Sequence, residues 1–177
     1  PVLKPVFWDV DGTLADTEMD GHRPAFNQAF VEQGLSWTWD PETYKRLLSI
    51  PGGSLRMKTF AQQRGEVLSD AQFAQLRVSK QSHYLDAVRA GAVSLRPGVA
   101  RLLRELQARG IDQWIVTSSG APSGSALLDT LFPGGDHPFA GVISANDVSR
   151  HKPNPEPYLK ALECSNTDPD EALAFED

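Results

Sequence analysis

Apolar residues follow two kinds of pattern along the chain. Residues 2–10 form a short apolar run rich in β-formers, long enough for one buried strand. In VARLLRELQARG, Val99, Leu102, Leu103 and Leu106 recur at i, i+3, i+4 and i+7, which predicts one apolar helix face. Arg96-Pro97-Gly98 supplies its opening turn and Gly110 its stop. Residues 113–117, 141–144 and 172–176 read as three further strands, with helical patterns between them. Strands alternating with helices predict an α/β fold with a parallel sheet and right-handed crossovers.

Residues 17–92 behave differently. Phe26, Ala29 and Phe30, then Tyr44, Leu47 and Leu48, then Tyr84, Leu85 and Val88 keep helical spacing, and no strand pattern interrupts them. The block is too long for a single crossover and is expected to form a separate helical cap inserted after the first strand. The predicted organisation is a discontinuous core of residues 1–16 and 93–177 and a cap of residues 17–92. No internal repeat or low-complexity segment is present.

The polar positions matter most where the strands end. VFWDVDGTLADT places Asp9 and Asp11 where the first apolar run stops. Thr117 and Ser118 follow the second strand, Lys152 the third, and Glu176 and Asp177 the fourth. In a parallel sheet the carboxyl ends of the strands point one way, so these groups would converge. Carboxylates suit a hard cation such as Mg²⁺, lysine neutralises phosphate oxygens, and a hydroxyl orients them. A carboxylate nucleophile would divide a slow phosphate hydrolysis into two easier steps. Each group alone has a plainer explanation: a solvated turn, a helix cap, a surface lysine, a charged end. Four in this order favour the joint reading.

Composition narrows the partners. A net charge of −6 with no basic stripe argues against nucleic acid. No apolar stretch reaches the roughly 20 residues of a membrane span, and no signal peptide is recognisable. The single cysteine, Cys164, excludes an internal disulfide and fits a reducing compartment, so a cytoplasmic location is expected.

DVDGTLADT, VTSS, HKPNPEPY and AFED resemble the four motifs of the haloacid dehalogenase superfamily. The resemblance implies a Rossmann-like core with the cap after the first strand. It makes Asp9 the nucleophile and Asp11 the general acid and base, with Thr117 and Lys152 holding the phosphoryl group. Asp9, the Asp11 backbone carbonyl, Glu176 and Asp177 would bind Mg²⁺. The cap position resembles the β-phosphoglucomutase-like branch. ADTEMDGHRPAFNQAF, WDPETYKRLL, GGSLRM and DVSRHKPNPEPY are similar to CbbY-type phosphatases, which act on xylulose-1,5-bisphosphate, an inhibitory by-product of Rubisco. That likeness implies substrate contacts from Glu18, His22, Tyr44, Gly53, Arg56 and Ser118, with Arg56 on the phosphate that is not transferred. It also implies the plastid stroma as the location if the source is a photosynthetic eukaryote. The expected partner is a small-molecule sugar phosphate, and the expected state is a monomer. Taken alone, His22 could be a helix surface residue and Tyr44 a core residue. The family continues past its fourth motif with another strand and helices, so the C-terminal part of the core is expected to lie outside this sequence.

Two other functions use similar parts. A phosphosugar mutase shares the aspartyl phosphate, but its histidine lies one residue closer to the first motif than His22, and Glu18 departs from its pattern. A receiver-type signalling domain also combines Asp, Thr or Ser, Lys and Mg²⁺. Its acceptor aspartate, however, follows the acidic pair, whereas here the pair Glu176-Asp177 comes last.

Overall fold

A computed structural model describes residues 2–177, in which four strands form one parallel sheet ordered β3-β2-β1-β4. They are β1 (Pro5–Trp8), β2 (Asp112–Val116), β3 (Phe139–Ile143) and β4 (Leu173–Phe175). All four residues of β1 are buried, as an apolar run paired on both sides should be. Its ladder runs Pro5↔Asp112 to Trp8↔Ile115 on one side and Val6↔Leu173 to Trp8↔Phe175 on the other. The strand is shorter than the apolar run of residues 2–10. After Trp8 the chain wraps around one carbonyl, that of Val10, which accepts from the backbone N–H groups of Thr13, Leu14 and Ala15. This turn halts the ladder and leaves Asp9 and Asp11 beside the end of a central strand.

The helices of this part of the chain are α5 (Val99–Ala108), α6 (Ala121–Leu131) and α7 (Glu156–Ser165). On α5 three positions of the expected stripe, Val99, Leu103 and Leu106, are buried, and the fourth, Leu102, is partly exposed. Gln113 is a fully buried polar residue with both ends of its amide satisfied. It accepts from Trp8 Nε1 at 3.0 Å and donates to the Leu103 carbonyl at 2.9 Å. Phe7, Val116, Ile143 and Ala161 form a core between sheet and helix. Gly141 is required on β3, because a Cβ there would fall 2.2 Å from the Trp114 ring.

Contacts divide the chain into two units: the N-terminal segment through Thr17 with Val93–Asp177, and Glu18–Ala92. In the second unit a wide π-type turn, Glu18–His22, leads into α1 (Arg23–Glu32). Then come α2 (Pro41–Leu47), α3 (Gly53–Gln63) and α4 (Asp70–Arg89). Ser69 and Gln72 start α4 with a reciprocal capping box. The interior of this unit is strongly aromatic, with Phe26, Phe30, Trp37, Trp39 and Tyr44 packed together with Leu76. Of the helical spacings in the sequence, Phe26, Ala29 and Phe30 are buried on α1, Tyr44 and Leu47 on α2, and Tyr84 and Val88 on α4, while Leu48 and Leu85 are partly exposed. No described helix is long and apolar enough to cross a membrane.

Candidate active site

Asp9 lies just past β1, is 8% exposed, and has both carboxylate oxygens engaged. Oδ1 accepts from Lys152 Nζ at 3.0 Å and Oδ2 from Thr13 Oγ1 at 3.2 Å. Burial disfavours its charge more strongly than Lys152 restores it, and Glu176 adds repulsion, so its pKa is pushed up to about 7. Lys152 is shared three ways. Its ammonium also donates to the Val116 carbonyl at 2.8 Å and pairs with Glu176 Oε1 at 2.5 Å. Tyr158, on α7, donates its O–H to the same Glu176 oxygen. Burial and that neighbouring carboxylate push the phenol pKa up, which keeps Tyr158 a donor.

Asp11 is held by two hydroxyls. Thr17 Oγ1 donates to its Oδ1 at 2.5 Å and Ser119 Oγ to its Oδ2 at 2.8 Å. The Ser119 N–H donates to Thr117 Oγ1 at 3.1 Å, and Thr117 is buried at the end of β2. Asp9, Asp11, Thr117, Lys152 and Glu176 therefore meet in one small region. Asp177 joins through Thr13, whose Oγ1 lies 3.4 Å from its Oδ1. Ser118 is exposed.

The acidic groups suit a hard cation. Asp9, Glu176 and Asp177 each offer a carboxylate oxygen, all within 4.8 Å of one another. Opposite oxygens around Mg²⁺ at about 2.1 Å lie roughly 4.2 Å apart, so the set needs little adjustment to close on one ion. A cation there would also offset what Lys152 alone does not, the cost of ionising buried Asp9. The turn makes room for this cluster: Gly12 has φ +81°, and a Cβ on it would stand 2.7 Å from Asp177 Oδ2. Arg96 fixes that peptide by donating to the Gly12 carbonyl at 2.5 Å.

In the second unit Tyr44 is fully buried and its hydroxyl donates to Glu18 Oε2 at 2.5 Å. The His22 ring stacks on Tyr84 with centroids 4.0 Å apart, and Lys80 Nζ donates to its Nδ1 at 2.8 Å. Arg56 donates through Nε to the Ile50 carbonyl at 2.8 Å, with its guanidinium 6.0 Å from the Tyr44 ring centre. Gly53 opens α3 against Phe26, where a Cβ would come within 2.7 Å of the ring. A cleft of about 220 Å³ beside it is lined by Ser54, Arg77 and Lys80 among others.

Several of these residues have no role assigned from the sequence: Thr13, Thr17, Ser119 and Tyr158, which lie inside the quoted motifs and surround the carboxylates, and Arg77 and Lys80 in the cap. Thr13 and Thr17 flank the Asp-x-Asp-Gly turn and Ser119 directly follows Ser118, so adjacency was the available signal. Lys80 carried none, since a lysine on a long helix is usually solvated.

The model for haloacid dehalogenase-like hydrolases matches residues 3–177, and the chain belongs to that family. It is a phosphoric monoester hydrolase of the family. Among curated proteins, protein CbbY of Rhodobacter capsulatus is 40% identical over 177 residues, covering 99% of this chain and 77% of that protein. Crystal structures of CbbY from Rhodobacter sphaeroides are similar in fold and sequence. The complex with phosphate matches with TM-score 0.87 and 32% identity, over 99% of this chain and 78% of that one. An Asp-to-Asn mutant in complex with xylulose-(1,5)bisphosphate matches with TM-score 0.86, 32% identity and the same coverage.

Proposed function

We propose that this protein is a Mg²⁺-dependent sugar-phosphate phosphatase acting through an aspartyl phosphate on Asp9, with xylulose-1,5-bisphosphate or a similar sugar bisphosphate as substrate. The observation that carries the proposal is the set Asp9, Lys152, Glu176 and Asp177 at the ends of three strands and their loops, with Asp9 buried and directly paired to Lys152. The likeness to CbbY, one form of which was crystallised with xylulose-(1,5)bisphosphate, supports the substrate class.

Asp9 attacks phosphorus and the sugar oxygen leaves, taking a proton from Asp11. Asp11 then removes a proton from water as the water attacks the aspartyl phosphate, and phosphate departs. Lys152 and Thr117 hold the phosphoryl oxygens. Asp9, Glu176, Asp177 and the Asp11 carbonyl would hold Mg²⁺, which neutralises charge on the transferring group. Thr17 and Ser119 orient Asp11 through the hydrogen bonds described above. Glu18, His22, Tyr44, Gly53, Arg56 and Ser118 are assigned to the rest of the sugar phosphate.

The test is a phosphate-release screen over sugar mono- and bisphosphates with Mg²⁺ and with EDTA. Turnover that needs Mg²⁺ and favours bisphosphates is expected. An isomerised sugar phosphate without net phosphate release would instead identify a mutase. Arg56→Ala is expected to raise KM for bisphosphates about tenfold or more, the scale of one lost guanidinium–phosphate contact, and to change monophosphates little. Equal losses on both would remove Arg56 from the second phosphate.

A further inference from the structure

Glu176 poses a problem of position. It is an exposed side chain with several rotatable bonds, and its Oε1 is already drawn to the Lys152 ammonium at 2.5 Å. Lys152 cannot define the carboxylate's orientation alone, because it divides its donors among Asp9, Val116 and Glu176. The second constraint is Tyr158. Its O–H donates to the same oxygen of Glu176. Its ring lies against Phe7 of β1, centroids 6.2 Å apart, and under the Lys152 ammonium at 5.2 Å. The phenol is therefore fixed from two directions, by the central strand and by α7, before it meets Glu176.

We infer that Tyr158 is a positioning residue for the cation site: it gathers one oxygen of Glu176 to the Lys152 side and so leaves the other oxygen for the cation shared with Asp9 and Asp177. The inference rests on the proposed cation reading of those three carboxylates. A carboxylate already oriented by a partner loses less freedom when it becomes a ligand, which is why partners of metal ligands affect affinity without touching metal. The aromatic ring has a distinct role, since its face supports the lysine charge. Phenylalanine keeps that face and removes only the O–H.

The test measures Mn²⁺ binding by electron paramagnetic resonance on substrate-free protein, for the parent, Y158F, E176Q and Y158F/E176Q. The expected result is about tenfold weaker binding in Y158F, the lower end of what loss of such a partner costs. In the E176Q background the same substitution should have no further effect, because its action passes through Glu176. Parent affinity in Y158F would overturn the inference, and so would an equal loss from Y158F with and without E176Q. A parent protein that binds no Mn²⁺ would overturn the cation reading itself, an outcome distinct from the other two.

Discussion

Asp9→Asn is expected to lower phosphate release by roughly 10⁴-fold or more while leaving the fold in place, because the amide keeps the shape and loses the nucleophile. The same substitution has a second signature in stability. The folded pKa of Asp9, about 7, lies above its ordinary value of 3.8 because burial opposes the charge. Between those values the folded chain holds a proton that the unfolded chain has released. Unfolding free energy of the metal-free protein therefore falls as pH rises from about 4 to about 7, and levels off above. The span is worth on the order of a few kcal/mol. Asp9→Asn removes the titrating group, so this part of the slope should vanish. Urea denaturation at several pH values in EDTA, for parent and variant, measures it. Ordinary turnover in the variant would exclude the covalent route. An unchanged pH slope would mean that burial of Asp9 does not set its proton affinity.

The cost of burying a carboxylate also explains why the sequence draws attention to these strand ends. Carboxylates at the end of an apolar run are conspicuous because burial penalises them, and Asp9 stands out for that reason; Lys152 and the exposed Asp177 are marked instead by their places after later predicted strands. The strand ends could be located to within a few residues, since apolar runs announce them. β1 is shorter than its apolar run because the Val10 carbonyl collects three N–H groups, a local event that periodicity does not encode. Hydroxyl partners were less legible. Ser119 and Thr17 gain meaning only from their distances to Asp11, and Ser119 reaches it across 108 positions of sequence. Tyr158 read as part of a motif, but its bond to Glu176 depends on α7 and β4 coming together. In the cap, the aromatic core hid the polar chemistry. Tyr44 fits the helical stripe of a core residue and is fully buried, yet its hydroxyl carries a hydrogen bond to Glu18. A residue with an apolar body and a polar tip can satisfy both descriptions.

Lys152→Ala should show how far the site's repulsion is balanced by one ammonium. In the parent Lys152 lies within 3.0 Å of three oxygens, two of them carboxylate. Without it, buried Asp9 faces Glu176 and Asp177 with the Thr13 hydroxyl and a Val10 backbone hydrogen bond, both uncharged, beside it. Removing one member of a buried pair is strongly destabilising because the other charge stays behind, so a loss of about 3 kcal/mol is expected in EDTA at pH 8. Turnover should fall by roughly 10²- to 10³-fold, the usual loss for one donor on a developing charge. The stability loss should shrink with Mg²⁺, because a cation among the three carboxylates opposes the same repulsion. At lower pH it should shrink too, as Asp9 takes up a proton. Lys152→Arg would keep the charge but present a planar fork where a point charge meets three separate acceptors, so stability should return more fully than activity. Denaturation curves in EDTA and in Mg²⁺, beside rates for both variants, separate these terms. Equal destabilisation of Lys152→Ala under both conditions would show that no cation reaches Asp9.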